Sequence, residues 1–149
     1  MQLTQVDEQA RDKLVRVLGE NSSMFLATAG DDIWNAGAFY AELDPFTLTL
    51  VLEAGGTTLR NINANPSVAV VIAPSGPFQP FLQGRATATV RDAEGKEETI
   101  AALLRKEPQI KALIEAAPVE AVDLNVSRWR VTDIGEGWLP GRELTAPPA

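Results

Sequence analysis

The chain contains no cysteine and no histidine. Without cysteine there is no disulfide frame and no thiolate chemistry. Without histidine the commonest general base and the commonest metal ligand are both missing. A Ser-His-Asp hydrolase is therefore excluded, and so is a zinc or haem centre held by imidazole. Long apolar runs are lacking too: none approaches the roughly 20 residues that span a bilayer. The opening residues Met1-Gln2-Leu3-Thr4-Gln5 do not show the basic-then-apolar pattern of a signal peptide. These absences lead to the expectation of a cytoplasmic protein with no membrane partner. Positive charge is scarce as well, with 13 basic against 20 acidic residues and a net charge of −7. The basic residues are scattered from Arg11 to Arg142, so nucleic acid would be repelled. An anionic ligand would need a local positive pocket. What remains is ordinary for a globular protein: 149 residues, 45% hydrophobic and 22% charged, which suits one domain over 1–149.

The most informative stretch is residues 53–71, Glu-Ala-Gly-Gly-Thr-Thr-Leu-Arg-Asn-Ile-Asn-Ala-Asn-Pro-Ser-Val-Ala-Val-Val. An apolar strand, 47–53, runs into Gly55-Gly56, and a short helix follows over 58–64, with Thr57 or Thr58 as its cap. Asn65-Pro66 stops the helix and a second apolar strand begins. Two glycines, two hydroxyls and Arg60 thus stand at a helix start, where unpaired N–H groups favour an anion such as a phosphate. The same residues also read as a plain glycine turn, a threonine cap and a solvated arginine.

Elsewhere the pattern is simple. Val6, Ala10, Leu14, Val17 and Leu18 fall on one face of a helix over about 5–18, started near Thr4 and ended by Gly19. Strands are read over 24–29 and 33–43, the second with a small centre, Ala36-Gly37-Ala38, which marks either a bend or a close approach by a ligand or backbone. Residues 68–73 are apolar on both sides, which calls for cover on both, by a helix or a second subunit. Pro74 to Pro80 form a stiff loop, either a lid or a packed hairpin turn. In the strand 81–91, Leu82, Gly84, Ala86, Ala88 and Val90 face inward. Helices follow over 97–106 and from Pro108, then a strand over 122–133. Arg128 and Arg130 flank Trp129 there, either as a solvated edge or within reach of a phosphate. The tail, 134–149, holds Trp138 and ends frayed. Short turns between strands, without regular strand–helix alternation, give a mainly β antiparallel barrel with peripheral helices.

Three marks in order, Met24-Phe25-Leu26-Ala27-Thr28-Ala29, then Leu59-Arg60-Asn61-Ile62-Asn63-Ala64-Asn65-Pro66-Ser67-Val68, then Gly84-Arg85-Ala86, resemble the pyridoxamine 5'-phosphate oxidase-like proteins. The small FMN-binding split-barrel members are the nearest type, and the resemblance covers about 22–132. It implies a six-stranded antiparallel split β-barrel over about 22–133 and a homodimer with FMN at the subunit interface. By the same resemblance, Asn35, Ala36 and Gly37 would lie along the isoalloxazine ring. Thr57, Thr58 and Arg60 would hold the phosphate. Gln83 would stand near the cofactor, and Trp138 of a second subunit would wall the ring. The chain departs from the family at Thr58, where many members carry lysine or arginine. Its arginine comes two residues later, about 200° around a helix.

Three functions are weighed. The first is a flavin-dependent oxidoreductase or electron carrier acting on a small redox substrate, with no catalytic acid identified. The second is a reductase using a deazaflavin cofactor in the same groove. The third is a non-catalytic dimeric module that has lost the phosphate site at Thr58.

Overall fold

A computed structural model of the chain describes residues 7–73, 76 and 78–148. Among these, eight antiparallel strands form one sheet curled into a split barrel, with four α-helices around it. Six strands were expected; the other two come from a break and from the tail. None of the described helices is long and apolar enough to cross a membrane.

The first helix, α1 (Glu8–Glu20), starts at Asp7, whose carboxylate accepts the Ala10 N–H at 3.0 Å. Thr4, read as its start, lies outside the described residues. Gly19 does not end it. The helix runs one residue further, and the Asn21 side chain donates to the Val17 carbonyl at 2.7 Å, satisfying a terminal acceptor that the helix leaves open. Ala10, Leu14, Val17 and Leu18 are buried, each larger side chain contributing about 1.5–3 kcal/mol.

The strand read as continuous from 33 to 43 is two, β2 (Ile33–Phe39) and β3 (Ala41–Asp44). β2 pairs with β1 (Ser23–Ala29), whereas β3 pairs with β4 (Thr47–Glu53). Tyr40 forms the corner between them. It is fully buried, its hydroxyl donates to the Leu18 carbonyl at 2.8 Å, and its N–H donates to the Ser22 carbonyl at 3.0 Å. Burial raises the phenol's pKa, helped by the charge of Glu42.

After β4 come α2 (Thr57–Ala64), β5 (Ser67–Ile72), β6 (Phe81–Val90), α3 (Ala93–Lys106), α4 (Ile110–Ala116) and β7 (Val119–Asp133). The loop read over 74–80 falls partly outside the described residues. Val90, read as inward, is 39% exposed, because β6 ends there at the barrel rim. The first turn of α3 is capped by Asp92, whose carboxylate accepts the Gly95 N–H at 2.8 Å. Most of the tail is regular structure, and residues 146–148 at its end carry none. A 3-10 turn, Ile134–Glu136, leads into β8 (Trp138–Thr145), which pairs with β7. Trp138 and Leu144 of β8 join the main core.

Strand order is β2-β1-β5-β6-β7-β4-β3, with β8 also on β7. The main core fills the barrel under α1, including Leu48, Leu50 and Leu52 of β4. Val51, on the opposite side of β4, packs with Leu103, Ile110 and Val119 in a second core under α3 and α4. This is the alternation that a strand buried on both faces requires.

Candidate functional site

The split in the barrel lies between the edge strand β2 and the end of β4. A groove of about 710 Å³ occupies it, a volume suited to a cofactor-sized molecule. One wall is Trp34, Ala36, Gly37 and Ala38 of β2. The other is the end of β4, the turn Gly55-Gly56, and Thr57 and Thr58 at the head of α2, with Leu113 of α4 alongside. Glu53 stands at its lip and is exposed.

Two glycines of this groove are not demanded by the fold. A Cβ at Gly37 or Gly55 would meet nothing within 4 Å, and neither residue has a positive φ. Gly30 and Gly84 differ: a Cβ there would sit 2.7 Å from the Asn61 backbone or 2.8 Å from the Trp129 ring. Glycine at 37 and 55 leaves open space rather than serving the chain's own packing. Glycine within a strand costs about 0.5–1 kcal/mol relative to alanine.

At the turn, Gly56 is the cap residue of α2 and supplies no side chain; Thr57 and Thr58 are the first two helical residues rather than caps. The first-turn N–H groups therefore have no side-chain acceptor competing for them. Arg60 reaches this turn in spite of its position around the helix. Its Nη2 donates to Thr57 Oγ1 at 3.0 Å and its Nη1 to the Gly55 carbonyl at 3.3 Å. The arginine side chain is long enough to fold back along the axis and make up for the rotation between positions 58 and 60. The helix terminus and one guanidinium thus stand together at this turn, with the exposed Glu53 carboxylate nearby.

Of the residues singled out from the sequence, Ala36, Gly37, Thr57 and Thr58 line the groove, and Arg60 braces its turn. Asn35 pairs with Ala27 on the outward row of the sheet. Gln83 lies on that outer face beside Arg85, Arg128 and Arg130, in a separate hollow of about 270 Å³. Trp138 is 8% exposed within its own protomer, with Lys13 Nζ 4.2 Å and Arg142 Cζ 3.9 Å from its ring centroid.

Sequence reasoning missed the residues that set the width of the groove. Asn61, 2% exposed, donates to Thr28 Oγ1 at 3.0 Å and to the Asp32 carbonyl at 2.9 Å. Asn65 donates to the Ala29 carbonyl at 2.8 Å and accepts the Ser67 N–H. Together they pin the β1–β2 hairpin tip onto α2, and the close approach at Gly30 completes the contact. A signal was present, since asparagine four residues apart on a short helix invites a search for buried partners.

Chemically the groove offers an aromatic face, backbone donors and little acid–base capacity; among the described residues Glu53 is its one titratable lining residue. Among the described residues no group of three or more carboxylates could hold a metal ion.

Solved structures share the fold. A heme binding protein from Mycobacterium smegmatis matches with TM-score 0.75 and 19% identity, over 91% of this chain and 57% of that one. The chain thus spans little more than half the length of that protein. A FAD-binding protein from Mesorhizobium loti matches with TM-score 0.65 and 18% identity, over 80% and 89% of the two chains. The General Stress Protein 26 from Bacillus anthracis matches with TM-score 0.70 and 13% identity, over 91% and 98%. No curated protein matches the sequence. The family model described as pyridoxamine 5'-phosphate oxidase matches residues 10–133, most of the chain, and the chain belongs to that family.

Proposed function

We propose that the groove binds FMN between two copies of the chain, and that the protein is a flavin-dependent oxidoreductase or electron carrier for a small-molecule substrate. The observation that carries this reading is the pair of glycines, Gly37 and Gly55, that hold space open although neither backbone nor packing asks for them. The ring would lie against Trp34, Ala36 and Gly37. The phosphate would meet the α2 terminus, Thr57, Thr58 and Arg60 through charge-assisted bonds. Bound flavin supplies the electron or hydride transfer, and the protein positions and tunes it.

Flavin is favoured over heme because the sequence has neither histidine nor cysteine to ligate iron. The third function, a module without a phosphate site, loses its main support. It rested on Thr58 lacking a base, and Arg60 reaches the same turn.

The test is a visible spectrum of the purified protein before and after addition of FMN, with fluorescence followed in the same titration. A perturbed flavin spectrum and saturable quenching are expected. Free-flavin spectra at all protein concentrations would overturn the reading.

A further inference from the structure

The head of α2 carries a carboxylate that the fold leaves unused. Glu53 is the last residue of β4, and its backbone carbonyl accepts the Gly56 N–H at 3.1 Å. Its side chain lies along the same turn: Oε2 is 3.6 Å from the point where a Cβ of Gly56 would stand. Gly56 is the cap residue of α2, so the carboxylate sits beside the space that a capping side chain would fill. It does not cap, since α2 has no side-chain cap bond. Among the described residues no cation lies within 4 Å of it. Arg60, on the same turn, gives its guanidinium to Thr57 and the Gly55 carbonyl instead.

Thr58 points independently to a ligand at this place. It is 8% exposed, it lines the groove, and its hydroxyl has no hydrogen-bond partner among the described residues. A buried hydroxyl left in that state is costly unless something in the groove bonds to it.

The other charged groups around the turn do not cancel Glu53. On β7, Val119 stands opposite Glu53 and Glu120 opposite Leu52. On α4, Lys111 lies 3.8 Å from Glu115, both largely exposed. The β1–β2 hairpin adds Asp31 and Asp32, which are exposed. The helix end and Arg60 together supply about one and a half positive charges, against one negative charge on Glu53. A phosphate monoester goes from one negative charge to two as pH rises through about 6. The first charge meets a cationic helix end; the second gains little, because Glu53 offsets most of the positive charge.

We infer that Glu53 is a specificity-determining residue, a charge filter that withholds stabilisation from the second negative charge of a bound phosphate. The ligand chemistry it suits is a phosphate with a single negative charge, whether a diester or a protonated monoester. The inference rests on the flavin reading above and adds the charge state that the groove accepts.

The test crosses the charge of residue 53 with the charge of the ligand. Wild type, Glu53→Gln and Glu53→Asp are titrated with FMN and with riboflavin, which lacks the phosphate, at about pH 8 and about pH 5.5, on either side of the phosphate's second ionisation. At the higher pH, Glu53→Gln should bind FMN about fivefold or more tighter than wild type. At the lower pH, where FMN carries one charge, that gain should shrink to about twofold. Riboflavin affinity should be the same for wild type and Glu53→Gln at both, and Glu53→Asp, which keeps the charge, should stay with wild type. Equal FMN affinity in wild type and Glu53→Gln would overturn the inference, as would a gain that riboflavin shares or one indifferent to pH. If wild type and Glu53→Gln bind neither ligand, the flavin reading itself fails and the inference with it. Riboflavin and FMN both bound, with residue 53 making no difference, sinks the inference alone.

Discussion

At the scale of single residues, the groove is defined by side chains that are absent. Gly37→Val should fold with a melting temperature equal to or slightly above the parent, since valine suits a strand and its Cβ meets nothing within 4 Å. The same variant should lose flavin. Gly84→Val should do the reverse at the level of folding. Its side chain would press on the Trp129 ring, 2.8 Å from the Cβ position, at a cost of about 1–3 kcal/mol. Thermal melts with FMN titration on both variants check the contrast, and flavin retained by Gly37→Val would remove it from the site. Small residues in a strand were visible in the sequence, and so were the glycines and threonines of the turn. Arg60 was visible too, but its reach back to Thr57 was not, and neither was the role of Asn61. Both depend on where a long or polar side chain finds its partner, and in each the partner is a matter of tertiary distance.

Among the elements, α1 is fastened to the β7–β8 end by a cluster of charge. Lys13 pairs with Asp133, Lys13 and Arg142 lie against Trp138, and Arg142 reaches Asp7 at 3.5 Å. Burial pushes the Asp133 carboxyl up. The Lys13 hydrogen bond, the Glu136 N–H and the charges of Lys13 and Arg16 outweigh it and hold the carboxyl below its usual range. A carboxyl depressed in the folded state binds its proton less readily there than in the unfolded chain. Its stabilisation is complete above the unfolded value, near about pH 4, and is lost as pH falls through the folded value. Asp133→Asn should therefore be less stable than the parent at neutral pH, by up to about 3 kcal/mol because Lys13 is left buried without a counter-charge. The difference should shrink on acidification, as melts across the acid range would show. Parallel curves would place the pair outside the stability balance.

Helical periodicity and strand alternation were enough to find α1, β1, β4, β6 and the central part of β7. The break at Tyr40 was hidden, because nothing local distinguishes one long strand from two that pair with different neighbours. β8 was hidden in a tail rich in proline and glycine; Gly141 permits close approach to β7, with Thr132 Oγ1 2.5 Å from where its Cβ would lie.

For the whole molecule, the unresolved demand of the sequence was cover for both sides of the strand at 68–73. In the protomer its inner side is buried, while Ala69 is exposed and Val71 half-buried. Phe25 is paired with Val71 on that outer side and is 56% exposed, so Phe25→Glu should place a charge at the centre of the proposed contact between copies. Sedimentation should then show a monomer, with a circular dichroism spectrum like the parent's and flavin affinity strongly reduced. A dimer that persists would move the contact to another face. The family likeness gave the architecture and the expectation of two copies. It could not show that Arg85, Arg128 and Arg130 stand side by side on the outer strands, which the register of β6 with β7 reveals.

The tip of the β1–β2 hairpin is bolted to α2 by Asn61 and Asn65, so the two walls of the groove stand at a fixed spacing before anything enters. Under the flavin reading such a slot is preorganised: loading would need displacement of solvent but no refolding of the chain. Discrimination would then work by thickness and outline, admitting a flat molecule that fits and rejecting one that would have to pry the hairpin loose.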